Sequence, residues 1–177
     1  MKTCALYGFI SMLAGAFLVL VLYFIGFHSD PAKLGAAKAI VGFGGLAIAI
    51  AVTALGVKAR REEVPAAEEF GYGATLWAGV LISLVAAILS AIFTYAYHAF
   101  INPGFSEILI QDAMSKLEAK GISGDQLEKI ESFNRIMFSP LPMALIALVF
   151  GFIGGVIISL VVAAFLKRPS PAQPPAV

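Results

Sequence analysis

Polar and apolar positions in this chain are gathered into blocks. Four runs hold no Asp, Glu, Lys or Arg: Ala5 to Phe27, Ala39 to Val57, Ala74 to Ile101 and Leu141 to Leu166. A helix needs roughly 20 such residues to cross hydrocarbon. In lipid the backbone must satisfy its own polar groups, so the runs predict four transmembrane helices. The third has 28 residues. At the α-helical rise it would reach about 42 Å, so it should tilt or protrude. The first run is longer than the apolar stretch of a signal peptide. It has no small-x-small site before His28-Ser29-Asp30-Pro31 and reads as an uncleaved span.

Between the third and fourth runs the pattern changes. Ile110, Met114 and Leu117 recur at i, i+4 and i+7, with Asp112, Lys116 and Glu118 elsewhere on the helix, until Gly121 stops it. Ser123 and Gln126 have capping-box spacing and open a second helix whose Leu127, Ile130, Phe133 and Met137 share a face. An extramembrane amphipathic helical hairpin is therefore expected over about 105–138, lying on the membrane or capping the bundle. Ser139-Pro140 ends it, and the Pro-rich 169–177 tail is expected to be disordered. The predicted fold is all-α, a polytopic membrane protein with one four-helix transmembrane domain over residues 1–168. Gly42-Phe43-Gly44-Gly45 and Gly151-Phe152-Ile153-Gly154-Gly155, with a histidine near the end of runs one and three, also fit two related hairpins.

Composition agrees with the pattern. The chain is 60% hydrophobic and 13% charged, against roughly 45–50% and about 25% in soluble domains. A small soluble core cannot hide that much apolar surface, so the excess must face lipid. A net charge of +1 provides no field for nucleic acid. The one cysteine, Cys4, excludes an internal disulfide. Lys2, Lys58, Arg60, Arg61, Lys167 and Arg168 fall on one side of a four-span topology, and six more bases lie opposite, four of them in the long loop. Long loops weigh less in topology, so both termini are expected in the cytoplasm.

Candidate chemistry is sparse. Within TYAYHAFINPGF (94–105), His98 stands among Tyr95, Tyr97, Phe100 and Phe105, just before Asn102-Pro103. This is the composition of a membrane exit, where rings meet headgroups and an imidazole can stay wet. Tyr95, Tyr97, His98 and Trp77 are accordingly read as interfacial anchors. A sharper alternative pairs His98 with His28 as metal or haem ligands, but no third ligand accompanies them. The spans hold no Asp, Glu, Lys or Arg and no proline in their interiors, features typical of ion-coupled transport. Small residues, however, form ladders: Gly79, Ser83 and Ala87 on the third span, Gly151, Gly155 and Ser159 on the fourth. Such ladders let backbones approach closely, either within one chain or against a partner.

Phe100-Ile101-Asn102-Pro103-Gly104-Phe105, Ala119-Lys120-Gly121, Phe138-Ser139-Pro140 and the closing Lys167-Arg168 occur in an order that resembles the bacterial membrane proteins grouped as domain of unknown function 4199, common in Bacteroidetes. The resemblance runs from Lys2 to Arg168. It implies a four-span protein of a bacterial inner membrane, with no activity, cofactor or catalytic residue to transfer. The sequence thus points to a non-enzymatic accessory or scaffold subunit, its partners being the lipid bilayer and either other membrane subunits or further copies of itself. The alternative is a facilitator or small channel whose oligomeric pore is lined by Ser83, Ser90, Thr94 or Ser159. An enzyme or lipid-modifying protein is a third possibility.

Overall fold

A computed structural model describes residues 1–168; the Pro-rich tail lies outside the described residues. The elements are α1 (Lys2–Phe24), α2 (Leu34–Glu62), α3 (Tyr72–Ala96), α4 (Phe105–Glu118), α5 (Asp125–Met137) and α6 (Pro140–Leu166). A 3₁₀ turn, Pro31–Lys33, leads into α2, and a π turn, Tyr97–Ile101, prolongs α3. Four helical stretches are long and apolar enough to cross a membrane: Lys2–Phe24, Pro31–Glu62, Tyr72–Ile101 and Pro140–Leu166. The second is longer than the uncharged run predicts. Its Lys38, Lys58, Arg60 and Arg61 are helical too, because charges at helix ends can leave the hydrocarbon without breaking the helix.

The chain divides into two compact units. Unit 1 comprises Met1–Ala14, Leu46–Leu89 and the chain from Phe150 onward. Its core is Cys4, Val57, Phe70, Ala78, Ile82 and Val162. Glycine makes the packing possible. A Cβ on Gly56 would lie 2.7 Å from Ile82 Cδ1 and 2.8 Å from Tyr7, well inside van der Waals distance. The α2–α3 connection is closed by a clasp. Phe70 and Arg168 exchange backbone hydrogen bonds of 3.2 and 2.8 Å, and the Arg168 guanidinium donates to the carbonyls of Val64, Pro65 and Glu68. Arg61 donates to the Leu166 carbonyl at the end of α6, one of the four acceptors a helix terminus leaves open.

Unit 2 comprises Gly15–Gly45 and Ser90–Val149. Here α1 and α4 stop in the same way. Gly26 and Gly121 each adopt φ +82°. In both, the following N–H (Phe27, Ile122) reaches back to the carbonyl five residues earlier (Leu22, Leu117) at 2.9 and 3.1 Å. These are Schellman endings, which favour glycine because it carries no Cβ penalty at positive φ. Asp30 then caps the 3₁₀ turn through the Ala32 N–H at 2.9 Å. The capping box expected at Ser123 does not form. The N-cap of α5 is Gly124 at φ 63°, with no side-chain cap, because the chain is still leaving the Gly121 turn. Asp112 ties α4 to the start of α2. Lys38 lies 2.8 Å and Lys116 2.7 Å from its carboxylate. Burial by itself would raise the Asp112 pKa, but hydrogen bonds from Lys116 and Lys38 outweigh it and hold the carboxyl below its ordinary value.

Candidate functional site

The two features singled out in the sequence fall in different units. In unit 1 the small residues of α3 and α6 face one another. Ser159 is the nearest neighbour of a Cβ built on Gly79, at 2.7 Å from its Oγ; Ser83 crowds a Cβ built on Gly155; Ala87 lies 3.9 Å from one on Gly151. Ser83, Ala87 and Ser159 are buried. The Ser159 hydroxyl donates to the Gly155 carbonyl one turn back at 2.7 Å, and its oxygen lies 3.5 Å from Ser83 Oγ. The α3–α6 contact therefore alternates glycine against serine, which brings the two backbones close without stranding a hydroxyl.

Unit 2 holds a denser polar cluster, assembled where α1, α3 and α4 end or begin. Pro103 disfavours helix at Asn102, and the last turn of α3 widens before it: the Asn102 N–H bonds the Tyr97 carbonyl, five residues back, at 2.7 Å. Asn102 does not cap α4, whose N-cap is Gly104. Instead its amide donates to the Tyr97 hydroxyl at 3.1 Å, and His28 Nδ1 stands 2.5 Å from the same hydroxyl. The Tyr97 hydroxyl thus accepts from Asn102 and shares a second hydrogen bond with His28 Nδ1. Ser106 donates to the Phe138 carbonyl at 2.7 Å, so its oxygen, 3.3 Å from His98 Nδ1, accepts from that ring. Phe105 stacks on His28 with ring centres 4.4 Å apart and tilts against His98 at 5.7 Å. Burial pushes the His28 pKa down, which favours its neutral ring.

This geometry differs from a wet membrane exit. His98 is 5% exposed and Tyr97 2% exposed, whereas Tyr95 and Trp77 are exposed. Sequence reasoning had no signal for Ser106 or for Asn102 as a partner of Tyr97. His28 entered it as a mark of the first run's end and in the metal alternative, never as a partner of Tyr97. The structure does bring the histidines together, but both Nδ1 atoms are engaged and Phe105 contacts both rings. Among the described residues no group of three or more His, Cys, Asp or Glu is placed to hold a metal ion. Chemically the cluster can position three helix ends and respond to protons.

Four long apolar helices and two internally satisfied polar clusters define a multi-pass membrane protein. The chain belongs to the family described as "Protein of unknown function (DUF4199)", which matches it over residues 6–168. No curated protein and no solved structure matches it.

Proposed function

We propose that this protein is a non-enzymatic accessory or scaffold subunit of a bacterial inner-membrane complex, with both termini in the cytoplasm and α4 and α5 on the opposite side, beyond the hydrocarbon core. One observation carries the reading. Among the described residues, every buried side-chain nitrogen and oxygen has a hydrogen-bond partner. These buried polar groups bond one another or backbone carbonyls and so hold helices in place, which supports a structural role. A facilitator pore through Ser83 and Ser159 is the weaker reading, since both serines are buried in the α3–α6 contact. Purification in a mild detergent, followed by identification of co-purifying membrane proteins, tests the proposal. A stoichiometric partner is expected. Protein that arrives alone, and that passes solutes or ions in proteoliposomes, would replace the scaffold with the pore.

A further inference from the structure

The α4–α5 pair is built asymmetrically. Helix α4 buries Leu109, Ile110 and Met114, whereas α5 has no buried residue. The apolar side of α5 is also divided: Leu127, Ile130 and Met137 are half-buried, but Phe133 is 60% and Ile136 65% exposed. Lys129, Phe133 and Ile136 follow one another at i, i+4 and i+7 and form one exposed stripe. Nearly opposite Phe133 stands Arg135, which pairs with Glu107 of α4 at 3.0 Å and with Glu131 at 2.8 Å. That pairing ties the polar side of α5 to α4, while the stripe stays exposed.

The level of α5 is fixed twice at its C-terminal end. Ser139 alone separates Phe138, the C-cap of α5, from Pro140, where a candidate span begins, and Ser106 just beyond the end of α3 bonds the Phe138 carbonyl. Phe100 and Leu141, in the residues that close the third candidate span and open the fourth, are exposed apolar side chains too. We propose that α5 is an in-plane membrane helix, its Phe133 and Ile136 side chains seated in the phospholipid interface, with the Lys129 stem lying along it and its ammonium among the headgroups. Six acids against four bases over residues 105–138 give this segment a net charge of −2. Attraction to anionic lipid therefore does not hold α5 down; apolar burial does. The inference rests on α3 and α6 crossing the membrane, as the proposed topology requires.

The test uses full-length protein in vesicles of zwitterionic phosphatidylcholine, with Trp77→Phe as background and single tryptophans introduced as Phe133→Trp, Ile136→Trp, Phe100→Trp and Glu128→Trp. Acyl chains carry bromine either close to the headgroup or deep in the core. Phe133→Trp and Ile136→Trp should emit at shorter wavelength than Glu128→Trp and lose more emission to shallow than to deep bromine, with no change on adding salt. Loss confined to Phe100→Trp would overturn the seating of α5 while leaving the spans intact. A short-wavelength emission that bromine does not quench would mean that protein covers the stripe, which also overturns it. Quenching of none of the four would remove the spans and the inference together. Ile136→Trp keeps the test decisive should Phe133→Trp fail to fold.

Discussion

At the scale of single residues, two neighbouring glycines have opposite roles. A Cβ on Gly155 would press into Ser83, whereas a Cβ on Gly154 meets nothing within 4 Å. Gly155→Ala is expected to cost about 1–3 kcal/mol through overpacking. Gly154→Ala should be neutral or gain up to about 1 kcal/mol, since Ala is the better helix former. Melting temperatures in detergent read both, and equal shifts would contradict the α3–α6 seam. His28 gives a second prediction at this scale. Its pKa is lowered in the folded protein, so the unfolded chain takes up the proton first. Stability is then complete above the ordinary histidine value and falls as pH drops through about 6.5 towards the folded value. Melting followed from about pH 7.5 to 5.5 should show this decline, and His28→Gln, which keeps a hydrogen-bonding side chain without the titration, should flatten it.

Among elements, the long helices were legible because hydrophobic runs and lipid thickness leave little choice of structure. Their ends were less so. The positive φ at Gly26 and the π turn at Tyr97 depend on hydrogen bonds between groups five residues apart, which periodicity does not encode. The small-residue ladders could be seen, but whether they met each other or a partner depended on which helices became neighbours. Pairings such as Asp112 with Lys38, separated by 74 positions, were invisible for the same reason. That pair anchors α4 to α2, and its contribution follows from the lowered Asp112 pKa. It is present throughout the neutral range and is lost only as pH falls below the ordinary carboxylate value through the folded one. Asp112→Asn should therefore destabilise the protein by about 1 kcal/mol near neutrality, and a double-mutant cycle with Lys38→Met should return a coupling of similar size.

For the molecule as a whole, composition alone required a membrane setting, but it carries no signal that chooses among a scaffold, a pore and an enzyme. The proposed topology puts the α2–α3 connection and the α4–α5 segment on opposite sides. With Cys4 replaced by serine, single cysteines at the exposed Glu62 and Ala119 should label from opposite faces of sealed vesicles. Labelling of both from one face would refute the arrangement.

The Arg168 clasp has a consequence for how the protein is made. The guanidinium closes on a carbonyl that precedes it by 100 positions. During synthesis the connection from Val64 to Phe70 therefore leaves the ribosome without its Arg168 donors, keeping only local bonds such as Glu68 N–H to the Pro65 carbonyl, and it waits in that state while α3 to α6 are translated. A nascent chain halted before Arg168 should be cut in this connection by added protease, and completion of the chain should protect it. The last residues of the family match thus act as a latch on an early segment, and quality control that samples the 64–70 connection would be reading whether α6 has arrived.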